Sequence, residues 1–430
     1  MKLVPLTALA AAVIALVAPA TASASRFVQY GVQDDAFLQT GPVEGKVQTL
    51  DRLGVKLVRY TLNWREIALK KPAHPMNPND RAYDWSRADE TLKALHKQRI
   101  AVLVTLYGSP AWANGRHAAN FIPTSKTALS SFAYAAAKRY PWITMWEVWN
   151  EPNLRRFLRP FSPSLYVQRL LNPTYAALHA IRRSNRVAGG ATSPRATGFG
   201  RTGISPIAFM RGMRAAHPHM DAYSHHPYPV TRSETPWGFA PGTCKYCKGV
   251  LTLANLPALL NEVQRNFGRK RIWLTEWGYQ TNPPDRIVGV SYTTQAQYVS
   301  QAALRALEAP YVDVFIHFMV KDDVARSGWQ SGFLTRLGAL KPSFYAYMLP
   351  LAQFSRHGTR TVLWGQVRPR FGTQRYVLQR FMRGHWVPVG SLSYTNGRGS
   401  YTRVVQAARG TRFRTYSPAD KSYSRVVTVR

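Results

Sequence analysis

The segment Thr144-Met145-Trp146-Glu147-Val148-Trp149-Asn150-Glu151-Pro152-Asn153 joins an apolar, aromatic run to an abrupt polar end. The run holds β-formers and neither glycine nor proline, which is typical of a buried strand. Because Pro152 lacks a backbone donor and ends the ladder, we expect Glu151 to be the last residue of the strand. Parallel α/β folds carry reacting groups at such carboxyl ends, although a solvated glutamate fits this segment equally well.

The same kind of segment recurs along most of the chain. Strand patterns alternate with helical patterns from residue 27 to residue 351. The predicted strands cover residues 27–32, 55–60, 100–107, 144–151, 187–190, 220–228, 271–278 and 312–318. Eight strands that alternate with helices predict an α/β fold of the (β/α)8 barrel type, known as a TIM barrel.

Beyond Arg356 the alternation of strand and helix patterns gives way to short strand patterns alone. Short runs such as 361–365, 376–380 and 386–390 are separated by glycine-containing turns, with no helical pattern between them. This spacing predicts a small C-terminal β-sandwich. We therefore divide the chain into a leader (1–24), a barrel domain (25–355) and a sandwich domain (356–430).

The amino terminus has the pattern of a secretory signal peptide. A basic residue at position 2 precedes an apolar run from Leu6 to Ala18, and small residues end at Ala24. The run is too short to span a membrane, and no other stretch of comparable hydrophobicity is long enough. We expect cleavage after Ala24 and export of the mature protein.

The two cysteines, Cys244 and Cys247, lie in a segment rich in glycine and proline. In an exported chain we expect a local disulfide between them, because a metal site needs more ligands. A redox-active pair would instead open a helix after a strand.

Basic residues greatly outnumber acidic ones, 57 to 21, for a net charge of +36. They are scattered singly, a pattern that compositional bias explains as well as a ligand does, so we expect no specific nucleic-acid partner. Residues 351–430 are denser in charge, with 15 basic residues and only Asp420 as an acid. This density fits an affinity for an acidic cell-envelope polymer, and a role of the sandwich as a spacer or in stability fits the sequence at least as well.

A second carboxylate, Glu276, ends the apolar strand 271–278. In a barrel, Glu151 and Glu276 would enter one central pocket from opposite sides. Glycoside hydrolysis needs such a pair, with one carboxyl as acid and the other as nucleophile or base. Trp112, Trp149 and Trp277 offer flat faces for sugar rings, but a core position explains each of them as well.

Several segments resemble the retaining glycosidases of clan A, most closely glycoside hydrolase family 39 and its relatives in family 5. The matching segments, in order along the barrel, are Val58-Arg59, Trp146–Asn153, His226-Pro227-Tyr228, Leu274–Gly278 and Lys341–Ala346. The resemblance implies a secreted enzyme that cleaves β-linked oligo- or polysaccharides without a metal or cofactor. The alternative is an inactive carbohydrate- or envelope-binding protein on the same barrel.

The resemblance also assigns roles to individual residues. Glu151 is the expected general acid/base and Glu276 the expected nucleophile, with the two carboxyl groups about 5–5.5 Å apart. Asn150 would hold the sugar 2-hydroxyl. Arg59 and Tyr228 would contact Glu276 and keep it ionised.

Other residues on or near these strands are assigned from strand alternation and from the resemblance. His226 would line the sugar subsite, whereas the adjacent His225 faces the other way. Glu147 lies deeper in the barrel, where a structural role is expected. The related families commonly end strand eight with a sugar-binding Trp, whose place here is taken by His317 or, one residue on, by Phe318.

Overall fold

The computed structural model describes residues 28–196, 202–240 and 249–430 of the 430-residue chain. Eight parallel strands close into a barrel, each paired with the next and the eighth with the first. They are β1 (Gln29–Gln33), β2 (Leu57–Asn63), β3 (Ala101–Tyr107), β4 (Met145–Val148), β5 (Arg186–Thr192), β6 (Ala222–His225), β7 (Arg271–Trp277) and β8 (Val312–Phe318). The predicted barrel is confirmed.

Helices connect the strands and cover the outside of the barrel. They are α1 (Asp35–Gln39), α2 (Glu44–Leu53), α3 (Trp64–Ile67), α4 (Ser86–Lys97), α5 (Ala128–Arg139), α6 (Pro163–Tyr166), α7 (Asn172–Ile181), α8 (Pro206–Ala215), α9 (Leu256–Phe267), α10 (Tyr292–Glu308) and α11 (Pro342–Met348), with a π-helical turn at Val167–Leu171. Their buried residues recur at helical spacing, as in α9, which buries Leu256, Leu259 and Val263.

The interior of the barrel changes character from its amino-terminal to its carboxyl-terminal end. An apolar layer fills the lower part, formed by Leu57, Leu103, Met145, Ala188, Ala222, Trp273, Val314 and Ile316. Packing there is tight enough that a Cβ on Gly31 would lie 2.6 Å from the Ile316 side chain. Above this layer the buried side chains are polar, beginning with Arg59, Thr105 and Glu147. The barrel is therefore closed below and polar at its carboxyl end.

Two antiparallel sheets follow the barrel and form the predicted β-sandwich. One sheet has the order β14 (Ser400–Gln406), β10 (Arg360–Gln366), β9 (Leu351–His357). The other has the order β12 (His385–Pro388), β11 (Arg375–Met382), β15 (Arg412–Ser417), β16 (Ser422–Tyr423), with β13 (Ser393–Tyr394) on β11 and β17 (Val427–Thr428) on β15. The first strand starts at Leu351, so the expected boundary after residue 355 falls inside β9.

The sandwich packs firmly on the side of the barrel. Ala352 and Trp364 join Ala303 and Leu304 of α10 in one apolar cluster. The buried guanidinium of Arg368 is sandwiched nearby between two tyrosine rings of the barrel domain. These contacts fix the sandwich to the barrel and give it a role in stability.

Residues 1–27, which contain the expected signal peptide, lie outside the described residues, as do Cys244 and Cys247. The signal peptide and the disulfide therefore remain predictions. Within the described ranges, no helix combines the length and the apolar character needed to cross a membrane.

Candidate active site

Glu151 lies beyond strand β4 on a sharply turned backbone. The strand ends at Val148, so the expectation that Glu151 is its last residue is wrong by three positions. Trp149 and Glu151 have φ values of 72° and 39°, a left-handed conformation that non-glycine residues rarely adopt. Two flanking strands hold this turn, because the Trp149 amide donates to the Leu106 carbonyl and the Glu151 amide to the Ala191 carbonyl. The strained turn thus re-aims the Glu151 carboxylate after the strand has ended.

Glu276 lies inside strand β7, one residue before its end, and both of its oxygens have donors. Oε1 accepts from Nη1 of Arg59 at 2.5 Å, and Oε2 accepts from the Tyr228 hydroxyl at 3.0 Å. The expected contacts of Arg59 and Tyr228 with Glu276 are therefore present.

Arg59 is fully buried and joins four elements at the mouth of the barrel. Its Nε donates to Glu147 at 2.7 Å, and its Nη2 donates to the Asn150 amide oxygen at 2.9 Å. Nη1 also donates to the amide oxygen of Gln33 on β1. Two buried carboxylates therefore share one guanidinium, which satisfies charges that would be costly to bury unpaired.

Glu147 is the deeper carboxylate of β4, as expected. It is fully buried, and its Oε2 accepts from the Thr105 hydroxyl at 2.8 Å as well as from Arg59. These partners make it a structural counter-ion of Arg59.

His226 bridges the two glutamates that approach the mouth of the barrel. Its Nδ1 lies 3.0 Å from Oε1 of Glu151 and 3.5 Å from Oε2 of Glu276. One oxygen of each carboxylate and one His226 nitrogen all lie within 4.8 Å of one another. Burial and the Arg59 charge hold the pKa of His226 well below its usual value, so the imidazole is neutral.

His225 faces away from this cluster, as the alternation of strand side chains predicts. Its ring nitrogens lie 2.8 Å from the Thr192 hydroxyl and 2.8 Å from the Leu251 carbonyl oxygen. Burial lowers the pKa of His225 to about 4, and its role is structural.

The two glutamates are held in different electrostatic environments. Burial, and then the charge of Glu276, raises the pKa of Glu151 well above its ordinary value. Burial also raises the pKa of Glu276, but the Arg59 charge and the Tyr228 hydrogen bond oppose this rise. Of the two carboxyl groups, Glu151 therefore holds its proton more strongly, and Glu276 ionises more readily.

Glu151, His226 and Glu276 are close enough together to be considered as metal ligands. However, the Arg59 guanidinium contacts Glu276 at 2.5 Å and would repel a cation placed there. This set of groups fits proton transfer better than metal binding.

Of the two candidates at the end of β8, Phe318 faces the site. It pairs with Gln33 of β1, which pairs with Arg59 of β2, so the three side chains share the inward face. The Phe318 ring lies 6.1 Å from the ring of Tyr228. The assignment of His317 to the sugar subsite is therefore wrong.

His317 instead belongs to the packing behind the barrel. Its Nε2 lies 2.9 Å from the Ser331 carbonyl oxygen, and its ring stacks on Phe333 at 4.1 Å. Burial lowers the pKa of His317 to about 3, so it stays neutral.

The tryptophans singled out from the sequence have structural positions. Trp112 donates its indole N–H to the Ala68 carbonyl and packs edge-on against Trp64. Trp149 and Trp277 are buried in the core. Their described contacts do not place any of the three against the paired carboxylates.

Two residues near the site were not predicted. Gln33 ends a short strand whose sequence carries no distinguishing motif, and only its pairing with β2 reveals its contact with Arg59. Trp329 lies in the long segment after β8 and contacts Tyr228, with ring centroids 4.9 Å apart. In the sequence, Trp329 could have been noticed as an aromatic residue that follows a glycine in the loop after a barrel strand.

Comparisons with known proteins agree with this architecture. No family model matches the sequence, and no curated protein sequence matches it. The GH39 enzyme from Xanthomonas axonopodis pv. citri superposes with a TM-score of 0.57 at 17% identity, over 89% of this chain and 92% of that one. A family 39 glycoside hydrolase from Bacteroides cellulosilyticus WH2 gives 0.58 at 17% identity, over 88% and 81%.

A third solved structure belongs to a different family of the same clan. The catalytic domain of GH30 xylanase C from Talaromyces cellulolyticus gives a TM-score of 0.50 at 11% identity, over 90% of this chain and 96% of that one. At these identities the likeness establishes a shared fold. The fold is that of clan A glycoside hydrolases, as the resemblance of the motifs predicted.

Proposed function

We propose that this chain is an exported retaining glycoside hydrolase that cleaves β-linked oligo- or polysaccharides by double displacement. The observation that carries the proposal is the pair of buried carboxylates, Glu151 and Glu276, at the carboxyl end of the barrel. Their nearest oxygens lie within 4.8 Å, which suits the about 5–5.5 Å separation of retaining enzymes. Inverting enzymes separate the two carboxyl groups by about 6.5–9.5 Å to admit a water.

In the first step the ionised Glu276 attacks the anomeric carbon of the sugar. Protonated Glu151 gives its proton to the glycosidic oxygen as the bond from that oxygen to the anomeric carbon breaks. The products are a glycosyl ester on Glu276 and a free alcohol. The opposed environments of the two carboxyl groups set these protonation states before substrate arrives.

In the second step Glu151 acts as a base. Once Glu276 is esterified its charge is gone, and this charge is one of the causes that raise the pKa of Glu151. The pKa of Glu151 therefore falls, and its carboxylate takes a proton from the water that attacks the anomeric carbon. The ester bond breaks, and the sugar leaves with its original anomeric configuration.

Asn150 and His226 would position the sugar between the carboxylates. The Asn150 amide oxygen accepts from Arg59, so its NH2 group is the part that would donate to the sugar 2-hydroxyl. A neutral His226 beside Glu151 adds polar contact without adding a charge that would ionise the acid prematurely. Both roles follow the motif resemblance and suit this geometry.

Covalent trapping tests the mechanism directly. A β-linked 2-deoxy-2-fluoro glycoside with a dinitrophenolate leaving group should inactivate the protein and add the mass of one fluorosugar, which peptide mapping places on Glu276. The Glu276→Gln protein is the matched control and should gain no mass. Hydrolysis of a β-glycan panel, followed by NMR of the first-formed anomer, identifies the substrate and should show retention.

Two outcomes would overturn the proposal. First-formed products of inverted configuration would exclude double displacement. Tight binding of glycans without hydrolysis or mass gain would instead favour an inactive carbohydrate-binding protein on this barrel.

Export is supported by the leader at residues 1–24. Expression of the full chain with its leader in a secreting bacterium should release a protein whose amino terminus begins at Ser25. Retention of the whole leader on the purified protein would contradict this part of the proposal.

We further propose that the sandwich binds an acidic polysaccharide of the cell envelope. On the solvent side of the sheet formed by β12, β11, β15 and β16, the Arg412 guanidinium lies 3.8 Å from the ring centre of Phe381. The Arg414 guanidinium lies 4.4 Å from the Trp386 ring and 3.9 Å from the Tyr423 ring. These four strands contain no acidic residue. Alternating cations and rings suit a polymer of carboxylated sugars.

Sedimentation with insoluble carboxylated and neutral polysaccharides, at low and high salt, tests this partner. The full chain should bind the acidic polymer and release it as salt rises, and the double variant Arg412→Gln/Arg414→Gln should bind several-fold more weakly. Arg360→Gln/Arg398→Gln removes the same charge outside this sheet, since Arg360 lies on β10 of the other sheet and Arg398 lies in the turn before β14, and it should retain most of the binding. Equal losses in both variants would show that net charge alone accounts for the binding.

A further inference from the structure

The chain beyond Glu151 turns back on itself and brings Arg156 near the proposed general acid. The Leu154 amide donates to the Glu151 carbonyl and the Phe157 amide to the Leu154 carbonyl, each at 2.9 Å. The Trp149 indole then donates to the Phe157 carbonyl at 2.7 Å, so the segment returns to the strained turn that carries Glu151. Arg156 therefore lies on a closed turn at the mouth of the barrel.

The loop that follows β3 holds this turn from the other side. The Asn120 side-chain amide donates to the Arg156 carbonyl at 2.9 Å, and the Asn120 carbonyl accepts from the Arg159 amide at 2.8 Å. The Ile122 amide donates to the Arg159 carbonyl at 3.0 Å. Because the loops of two neighbouring strands fix the backbone of Arg156, binding there would cost little further backbone entropy.

The Arg156 side chain is exposed, and it forms no ion pair among the residues that the structure describes. Its guanidinium lies 5.5 Å from the centre of the Phe157 ring. Between residues 91 and 220 the sequence contains only two acidic residues, Glu147 and Glu151, and both belong to the carboxylate cluster of the site. This part of the barrel therefore offers Arg156 no further carboxylate with which to pair.

The charge of Arg156 nevertheless acts on the proposed acid. Burial and the Glu276 charge raise the pKa of Glu151, whereas the charges of Arg59 and Arg156 oppose this rise. Burial raises the pKa of Tyr107, at the end of β3, to about 12, and this hydroxyl is also subject to the charges of Arg156 and Glu151. A cation that favours ionisation of a general acid works against proton transfer, and cleavage of a neutral glycan gives no reason for one in this position.

The direction of the proton transfer shows which part of the substrate Arg156 would meet. Glu151 gives its proton to the oxygen of the leaving-group unit, while Glu276 attacks the anomeric carbon from the opposite face. The leaving-group unit therefore lies on the Glu151 side of the cleaved bond. Because the turn that carries Arg156 starts at Glu151, its guanidinium flanks that unit.

We propose that Arg156 is a specificity-determining residue that binds an anionic group, a carboxylate or a sulfate ester, on the leaving-group unit of the substrate. This inference rests on the proposed glycosidase function and names its substrate class, an acidic β-glycan. A guanidinium pairs with either anion through charge-assisted hydrogen bonds. The bound anion also neutralises the charge that opposes protonation of Glu151, so the acid holds its proton best when the correct substrate is in place.

Kinetics on three matched disaccharides test the proposal. They share the β-linked glycosyl unit of the best substrate or ligand in the glycan panel, and their leaving unit is glucuronate, glucose 6-sulfate or glucose. The parent should show a kcat/KM about tenfold or more higher on one anionic disaccharide than on the neutral one, and the better anion identifies the group that is bound. Arg156→Gln should lose about tenfold or more on that anionic substrate and much less on the neutral one. Arg156→Lys keeps the charge without the planar fork and should be intermediate.

Arg155→Gln is the matched control, because Arg155 is also exposed and lies one residue away on the same turn. It should change kcat/KM by less than about twofold on all three disaccharides. Equal losses in Arg155→Gln and Arg156→Gln would show a general attraction of anions to a basic surface and would overturn the proposal. Equal losses of Arg156→Gln on the anionic and neutral substrates would overturn it as well.

The pH dependence gives a readout that a purely structural role of Arg156 would not change. Because the Arg156 charge lowers the pKa of Glu151, the basic limb of the kcat/KM profile should shift to higher pH in Arg156→Gln. Arg155→Gln should leave this limb in place. The parent and both variants share the other charged and titratable groups around this carboxyl, which are Arg59, His226 and Glu276. An unmoved limb in Arg156→Gln would contradict a guanidinium placed next to the acid.

Binding to the Glu276→Gln protein separates this inference from the proposed function. Calorimetry should show that the preferred anionic disaccharide binds about tenfold more tightly than the neutral one, and this difference should disappear in Glu276→Gln/Arg156→Gln. Anion-dependent binding without any turnover by the parent chain would uphold the Arg156 site and reject the hydrolase. Turnover by the parent chain without any preference for an anionic leaving unit would uphold the hydrolase and reject the Arg156 site.

Discussion

Strands β4 and β7 each bring one glutamate to the mouth of the barrel, but they hold it in different ways. Glu276 is still within its strand and receives a guanidinium N–H from Arg59 and a hydroxyl from Tyr228. Glu151 lies three residues past its strand on a left-handed turn, and its described side-chain contact is with neutral His226. Glu276 is paired with a cation, whereas no lysine or arginine forms an ion pair with Glu151 among the residues that the structure describes.

In the mechanism that we propose, this difference lets one fold use the same side chain as an acid at one strand end and as a nucleophile at the other. Charge pairing favours the ionised form, whereas burial favours the protonated form. The strained turn is part of the arrangement, because an extended backbone would have continued the ladder rather than placed Glu151 beside His226. Each variant below changes either Glu151, Glu276 or a residue that sets the pKa of Glu276.

The largest effect is expected from Glu276→Gln. The amide has no charge with which to attack the anomeric carbon, so kcat on every β-glycan should fall by about four orders of magnitude or more, as when other enzymes lose a reacting group. Steady-state kinetics with sensitive product detection measures this loss. The substituted amide keeps the size of the side chain and an acceptor for Tyr228, so circular dichroism should remain that of the parent. Retention of more than about a tenth of the activity would reject Glu276 as nucleophile.

The second effect, from Glu151→Gln, depends on the leaving group. Substrates whose leaving alcohol needs a proton should lose about 10²- to 10⁴-fold in kcat/KM. Dinitrophenyl glycosides need no protonation, so their first step should change little, and the slower second step should leave a glycosyl-enzyme detectable by mass spectrometry. Added azide, which needs no base, should restore turnover and give the β-glycosyl azide.

A matched comparison with Glu276→Gln keeps this test decisive. That variant should show no rescue by azide in the β configuration and no dependence on the leaving group. If Glu151→Gln lost activity equally for good and poor leaving groups, the two strand ends would not divide the chemistry as proposed.

Much of this comparison could be predicted from the sequence, and the reasons are topological. Closing eight parallel strands into a barrel brings every carboxyl end to one rim, so two strand-terminal glutamates must approach each other. Alternation along a strand likewise placed His226 inward and His225 outward. Arg59 and Tyr228 followed from their motifs and contact Glu276 as expected.

What the sequence did not reveal depends on local departures from regular strands. The pairing of β7 with β8 shifts register near the start of β8, where Ile272 pairs with Val312 but Trp273 pairs with Val314, and such an extra residue reverses which of two adjacent residues faces inward. Counting along β8 therefore could not separate His317 from Phe318. Trp329 approaches Tyr228 through a long loop whose path is set by Asp323 and Lys341, contacts that no periodicity encodes.

A smaller effect is expected from Tyr228→Phe, which removes a hydrogen bond that stabilises the ionised form of Glu276. The Tyr228 hydrogen bond lowers the pKa of that carboxyl, so its loss should raise the pKa. The acidic limb of the kcat/KM profile, which reports the nucleophile of the free enzyme, should shift upward by about one pH unit. The basic limb, which reports Glu151, should move less.

Glu147→Gln serves as the control, because it should shift the acidic limb of the pH profile in the opposite direction. The Glu147 charge raises the pKa of Glu276, so the acidic limb should shift to lower pH when that charge is removed. The amide introduced by this substitution retains an acceptor for Arg59 and Thr105, which preserves the buried network. Shifts of the same direction in both variants would mean that a general disturbance of the barrel, and not the charge on Glu276, moves the profile.

The smallest expected effect is on thermal stability, and it should differ between variants of Glu151 and variants of Glu276. Because the folded pKa of Glu151 is raised, the native state binds this proton more tightly than the unfolded chain does, and the resulting stability is complete below about pH 4.5. It is lost as the pH rises through the folded pKa. Glu151→Gln is always neutral and escapes this loss, so its Tm should gain on the parent by about 1–3 °C between pH 4.5 and pH 8. The gain should be smaller for Glu276→Gln, because Arg59 and Tyr228 already stabilise that charge. Calorimetric scans across this range measure both differences, and a larger gain for Glu276→Gln would reverse the assignment of the proton to Glu151.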